Sequence, residues 1–175
     1  MASKEKNIIT ITPPDFGDTR VIGINSVLAD YKLVWLLNEK LSIKLVRQDD
    51  FVHSGAIYPY YHCAADENSP VYGLLAVSYN KKSSLNFNPR LDYLFIIRNE
   101  NLPNRVTTIF DKIKEIKGIN YAFLMDGYMD RLDAALYDVE DYDNKILVKK
   151  RELNSPEHFK EEVRQRGHIL GINED

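Results

Sequence analysis

Asp92 and Tyr93 are the first candidates for chemistry, because they open the most continuous apolar run of the chain, Leu91–Ile97. A carboxylate at such a position acts as a general base when loss of water raises its pKa. The alternative is structural: Asp92 accepts hydrogen bonds from the backbone or from Arg90. We expect the structural role and retain Asp92 and Tyr93 as candidate binding residues.

Two clusters of acidic residues suggest a binding site for a hard cation. Asp49 and Asp50 follow a predicted strand, but adjacent strand side chains point to opposite faces and converge only in a turn. The second group, which invites a calcium interpretation, comprises Asp138, Glu140, Asp141, Asp143 and Asn144. It lacks the turn glycine and the twelfth-position glutamate of a calcium loop. Solvation of both groups is the expected outcome.

Histidine and cysteine chemistry has little support. The histidines, which show no metal-ligand spacing, are His53, His62, His158 and His168. Cys63 is the only cysteine, which excludes an internal disulfide and a cysteine-rich zinc site. Glycine-rich phosphate loops and serine-nucleophile elbows are absent from the sequence. The sequence therefore predicts no catalytic residue, no metal site and no cofactor, and it favours a protein that is not an enzyme.

Tyrosine is concentrated in one part of the chain. Of its 11 tyrosines, five crowd two adjacent predicted strands: Tyr58, Tyr60, Tyr61, Tyr72 and Tyr79. A tyrosine joins a large apolar ring to a polar tip, which suits a partner surface. If Tyr58 and Tyr60 share the solvent face of an edge strand, they form an interaction patch. Otherwise they are core residues with polar tips, and one sequence leaves both alternatives open.

The composition is that of a globular protein. The chain has 175 residues and a mass of 20.3 kDa, with 44% hydrophobic and 28% charged residues, which excludes a wholly disordered or fibrous class. Its 23 basic and 26 acidic residues give a net charge of −3, so binding to nucleic acid is not favoured. No apolar run approaches the ~20 residues of a membrane span, and no signal peptide is visible. We expect a cytoplasmic protein without a membrane partner.

Two amphipathic helices are predicted to hold the core. Ser26 is placed to cap the first, which extends to about Leu41 with Trp35 closing the core beside its apolar face. The second begins at Pro103, and its apolar stripe ends near Gly118, where a glycine cap belongs.

Strands are predicted between and around these helices, at Arg20–Asn25, Ile43–Arg47, Ile57–Cys63, Val71–Tyr79, Leu91–Ile97 and Tyr121–Met125. Pro59 lacks a backbone donor and predicts an edge position or a bulge. The order favours an α+β fold: a mostly antiparallel sheet with two main helices packed on one face.

The two ends of the chain are predicted to lie outside this domain, which we place at residues 19–148. Residues 1–18 form a tail or an edge strand. A helix is favoured over a strand for 126–143, and Ile146–Val148 is predicted as a last strand. Residues 149–175 form a helical extension, with a helix over Pro156–Arg166.

Part of the sequence resembles a small bacterial family with the motif IPExxxVDY. The resemblance begins with Val21–Ser26, Asp30–Asn38 and Asp49-Asp50, and continues with Leu85–Tyr93, which falls where the motif belongs. Asp92-Tyr93 match the motif, whereas Asn86 and Phe87 replace its proline and glutamate. The resemblance covers about residues 20–125 and implies a shared fold, with no activity, cofactor or site residue to transfer.

These observations favour a non-catalytic binding or assembly module that self-associates or binds a protein partner. The candidate binding residues are Tyr58, Tyr60, Tyr61, Asp92 and Tyr93. One alternative is a small enzyme that uses Asp92, Asp49 and Asp50. The other is an RNA-associated protein that uses the basic residues 149–151 with Arg164 and Arg166.

Overall fold

The structure, a computed structural model, describes residues 16, 18–53, 55–64, 69–79, 82–83, 87–100 and 103–153. The strands are β1 (Arg20–Ser26), β2 (Val46–Arg47), β3 (Phe51–His53), β4 (Ala56–Tyr58), β5 (Tyr60–Cys63), β6 (Val71–Ala76), β7 (Ser78–Tyr79), β8 (Lys82–Ser83), β9 (Tyr93–Arg98) and β10 (Ile119–Leu124). The helices are α1 (Asp30–Leu41), α2 (Pro103–Lys114) and α3 (Met129–Leu153), and a 3-10 turn at Asp126–Tyr128 precedes α3.

A six-stranded antiparallel sheet with the order β10-β1-β9-β6-β5-β2 forms the centre of the protein. The strands β3 and β4 form a separate hairpin, as do β7 and β8. The central strand β9 is buried along most of its length, as the continuous apolar run predicts.

Helices cover both faces of the sheet. On one face, α1 and α2 pack over side chains such as Ile24 and Phe95, and they contribute Leu33 and Ile113 to the same core. On the opposite face, α3 packs over a second core. Each face is apolar because alternate residues of the strands point to opposite sides. The α+β class and the two helices on one face are confirmed, with α3 as a third layer.

Two details of α1 differ from the prediction. Ser26 ends β1 and does not cap the helix: its hydroxyl donates to the Gly118 carbonyl and accepts from the Leu28 backbone N–H. The helix begins at Asp30 because Ala29 is still extended. Trp35 does not close the core either, because it lies on the outer side of α1 with 62% of its surface exposed.

Pro59 divides the predicted strand Ile57–Cys63 in two. Tyr58 belongs to the β3–β4 hairpin and lies opposite Phe51, whereas Tyr60 begins β5 in the main sheet. A proline cannot donate to the ladder, so the two pairings separate there. β5 is not an edge strand, because the short strand β2 pairs with Tyr61 and His62.

The last helix is longer than predicted. The helix favoured for 126–143 is present, but it continues through Ile146–Val148 to Leu153, so the strand prediction at Ile146–Val148 is wrong. The buried positions explain this result, because Leu132, Leu136 and Val139 continue to Asp143 at helical spacing. Most of the predicted tail or edge strand, residues 1–18, lies outside the described residues, as does the helix predicted over Pro156–Arg166.

None of the described helices is sufficiently long and apolar to cross a membrane.

Candidate functional site

The tyrosines selected from the sequence are core residues with polar tips. The exposed fractions are 2% for Tyr58, 0% for Tyr60, 6% for Tyr61 and 8% for Tyr93. The alternative in which Tyr58 and Tyr60 form an exposed interaction patch is therefore wrong. Tyr58 packs in the hairpin, and Tyr60 lies under α3. Tyr61 and Tyr93 point to the other face, where the Tyr61 hydroxyl donates to Asp30 and the Tyr93 hydroxyl to the Leu28 carbonyl.

Asp92 has a structural role at the start of β9. Its Oδ2 accepts from the Asn25 amide at 2.7 Å and from the Ser26 backbone N–H at 3.1 Å. Its Oδ1 lies 3.6 Å from Arg90 Nε. These contacts tie β9 to the end of β1, which is the structural alternative predicted for this carboxylate.

Asp49 and Asp50 do not converge with Asp92. Asp50 pairs with Arg47 at 2.5 Å, and Asp49 lies 3.8 Å from Lys149. Neither shares a contact residue with Asp92. No group of three or more potential metal ligands occurs in the part of the chain that the structure describes. Of the basic residues that suggested RNA, Arg164 and Arg166 lie outside that part.

A buried polar cluster lies between α3 and the sheet. The Tyr60 hydroxyl donates to Asp143 Oδ1 at 2.8 Å, and His62 Nε2 lies 3.6 Å from the same oxygen. The guanidinium of Arg98 forms an ion pair with Asp143 Oδ2. Only 4% of the Asp143 side chain and 14% of the Arg98 side chain are exposed. Asp143 is thus the common acceptor for a phenol and a guanidinium.

Strand register positions this cluster. His62 pairs with Gly73, and Arg98 pairs with Val71, so His62 and Arg98 point to the face that α3 covers. Gly73 provides the space for Tyr60 to reach Asp143: a Cβ at Gly73 would lie 2.7 Å from the Tyr60 hydroxyl oxygen. Helical spacing places Asp143 on the inward face of α3.

Burial dominates the electrostatics of the cluster. Loss of water raises the pKa of Tyr60 above its ordinary range, so Tyr60 remains a neutral donor to Asp143. Loss of water also lowers the pKa of Arg98, and the negative charge of Glu140 acts in the opposite direction. The Nε atom of Arg98 is buried and has no hydrogen-bond partner among the described residues.

A cavity of about 450 Å³ opens beside the cluster. Its polar lining comprises His62, Arg98, Asn99, Glu140, Asp143 and Asn144, and an apolar wall is formed by Val71, Leu147 and Val148. The volume lies in the range of pockets for small molecules. Because Asp143 is engaged by Tyr60 and Arg98, this arrangement suits recognition of a polar ligand better than proton transfer by Asp143.

Sequence analysis missed the most important members of this cluster. Asp143 was assigned to a solvated acidic face, although it occupies an apolar-stripe position of α3, after Leu136 and Val139. A lone acid at a buried helical position is a signal that could have identified it. His62 and Arg98 carried no such signal, because only the pairing of β5, β6 and β9 brings them together.

The outer edge of β10 is a second candidate surface. Among the described residues, β10 pairs only with β1 and therefore ends the sheet. Its sequence, Ile-Asn-Tyr-Ala-Phe-Leu, contains no charged residue and no proline. Protein sheets usually protect an edge with charge, proline or a covering segment, since unpaired backbone groups recruit another strand.

Backbone hydrogen bonding shows which backbone groups of β10 face away from β1. The Met125 N–H donates to the Val21 carbonyl at 2.9 Å, and Phe123 lies opposite Gly23 in the same register. Hydrogen-bonded positions alternate along an antiparallel strand. Ala122 and Leu124 therefore direct their backbone N–H and C=O groups away from β1. An irregularity in register between Asn25 and Ser26 limits the regular segment to Tyr121–Leu124.

Comparison of the chain with protein-family models, curated proteins and solved structures finds no match. The resemblance to the IPExxxVDY family therefore stays a prediction.

Proposed function

We propose that this protein is a non-catalytic assembly module that self-associates by pairing the β10 strands of two copies. The observation that carries the proposal is the outer edge of β10, which has six residues without charge or proline and no neighbouring strand among the described residues. An edge of this kind is a template for a further strand.

A second copy fits this edge because antiparallel pairing about a two-fold axis is self-complementary. With the axis at Phe123, Ala122 of one copy lies opposite Leu124 of the other, and their outward N–H and C=O groups form hydrogen bonds. The two Phe123 rings then lie side by side on the face covered by α3, where cross-strand aromatic contacts are favourable.

Charge is compatible with the same register. The regular segment Tyr121–Leu124 contains no charged residue, so no like charges are opposed in the pairing. The self-complementary register of Ala122, Phe123 and Leu124 supports a second copy of the chain as the partner.

The test is the mass in solution, measured by light scattering after size exclusion. We expect the wild-type protein to have a mass of twice 20.3 kDa. Leu124→Lys should be a monomer, because each copy then brings a charge into the pairing. Ala122→Pro should also be monomeric, since it removes an outward N–H and leaves the β1 ladder intact.

Tyr137→Lys is the matched control, because Tyr137 is 56% exposed and belongs to α3 and not to β10. It should keep the wild-type mass, and circular dichroism should show the same fold for all variants. A wild-type monomer at millimolar concentration would overturn the proposal. A dimer that survives both β10 variants would overturn it as well.

A further inference from the structure

The structure points to a ligand for the cavity beside α3: we propose that it binds a small organic cation, a primary ammonium group on a short apolar chain. This inference is independent of the proposed self-association, because the cavity lies at the β5–β6–β9 end of the sheet and β10 lies at the opposite edge.

The charge of the lining selects a cation. Arg98 is the positive residue among the described lining residues, and Asp143 and Glu140 are negative. Arg98 and Asp143 neutralise each other in a buried ion pair. Glu140 acts on Arg98 at longer range and has no ion-pair partner among the described residues. Among the acidic residues described in the lining, Glu140 therefore carries the negative charge that lies outside this ion pair.

The polar groups around Glu140 can accept hydrogen bonds from an ammonium group, which has three donors and no acceptor. Glu140, Asn99 and Asn144 all belong to the lining; a carboxylate is a charged acceptor, and a side-chain amide offers a neutral oxygen. An anionic ligand, in contrast, would bring its charge towards two carboxylates, Glu140 and Asp143. Arg98 could not offset both of them.

The remaining wall favours a hydrocarbon chain. Val71, Leu147 and Val148 line the cavity together, and Val148 is 50% exposed. Contact with an alkyl chain would remove apolar surface from water on both partners. The volume of about 450 Å³ accommodates a chain of several carbons with its ammonium head.

The experiment is calorimetric titration of the full chain with n-hexylammonium chloride at pH 8, where imidazoles are ordinarily neutral. We expect saturable binding, with NMR shift changes at Asn99, Asn144 and His62. Glu140→Gln keeps the size of the side chain and removes its charge. It should weaken binding by about 10-fold or more, as the loss of a charged hydrogen bond does.

Asp133→Asn is the matched control, because it removes the same charge from an exposed position of the same helix. Its affinity for n-hexylammonium should equal that of the wild type. The n-hexanoate ion should not bind, because it has the same chain with the opposite charge. Absence of saturable n-hexylammonium binding, equal affinity in Glu140→Gln, or tighter binding of n-hexanoate would each overturn the inference.

Discussion

Tyr60 donates a hydrogen bond of 2.8 Å to Asp143 across 83 residues of sequence. Tyr60 begins β5 and Asp143 lies on the inward face of α3, so this bond joins the sheet to the helix that covers it. Arg98 of β9 binds the other oxygen of the same carboxylate. Asp143 is therefore a polar anchor within an otherwise apolar layer.

Tyr60→Phe removes this hydrogen bond and keeps the buried ring. We expect the free energy of unfolding to fall by about 1.5–3 kcal/mol, the range for a hydrogen bond to a charged group. Urea denaturation measures the change. Tyr137→Phe, at an exposed tyrosine, should change stability by less than about 0.5 kcal/mol. Equal stability of wild type and Tyr60→Phe would show that the bond contributes nothing.

Asp143→Asn removes the negative charge from the buried ion pair and leaves Arg98 uncompensated. We expect a loss of about 3–5 kcal/mol, the usual cost of breaking such a pair. Chemical denaturation of the variant gives the value.

Replacement of Asp143 together with Tyr60 and Arg98 should reverse that loss. The triple variant Tyr60→Phe, Arg98→Met, Asp143→Leu should recover at least the wild-type stability, because it removes the cost of burying charge and the buried Arg98 Nε that lacks a partner. If the triple variant were less stable than Asp143→Asn, the cluster would stabilise the fold by more than charge compensation.

Gly73→Ala tests the space that Tyr60 needs. The added Cβ would lie 2.7 Å from the Tyr60 hydroxyl oxygen, so the ring or the strand must move. We expect a loss of about 1–3 kcal/mol in the free energy of unfolding, typical of overpacking. Gly127→Ala is the control, since nothing lies within 4 Å of its added Cβ. The loss should be smaller in a Tyr60→Phe background, and an undiminished loss there would contradict this explanation.

The free energy of unfolding should fall at alkaline pH, because buried tyrosines have raised pKa values. Burial raises the pKa of Tyr93 to about 12, with Asp30 adding to the effect, and burial followed by Glu100 raises the pKa of Tyr72 to about 12. An unfolded tyrosine titrates near ~10. The unfolded chain therefore releases protons first, and the stabilising contribution, complete below pH ~10, is lost as pH rises towards ~12.

Urea midpoints between pH ~9 and ~12 measure this dependence. Tyr93→Phe should flatten the fall, because one of the tyrosines with a raised pKa is absent. Tyr137→Phe, at an exposed position, should retain the wild-type slope. Ionisation of Tyr93 at the ordinary pKa, seen by ultraviolet absorbance, would contradict the prediction.

Local patterns were sufficient to predict much of the fold. The stripe Ile109, Ile113 and Ile116 identified α2, and the apolar run of β9 identified a strand covered on both faces. The start of α1 was misplaced because Ser26 has two competing partners, Gly118 and Leu28. The first of these partners comes from a distant segment and has no local signature.

The candidate site was much less predictable. The sequence identifies Tyr60 as a candidate but leaves open whether it lies at the surface or in the core, because sequence alternation does not say which face of a strand is covered. His62, Arg98 and Asp143 belong to β5, β9 and α3, and only the pairing and helix packing bring them together. Glu140 and Asp143 were read as a solvated face because α3 was recognised only in part.

The position of β1 within the sheet has a consequence for the order of folding. β1 lies between β9 and β10, so both of its neighbours come from segments far along the chain, which means that closure of long loops must precede its pairing. We therefore expect the adjacent strands β5 and β6 to pair early and β1 to join the sheet late. Because β1 is the neighbour of β10 among the described residues, we expect the edge proposed for self-association to form only in the last stage of folding. The proposed dimerisation would then follow the folding of the monomer.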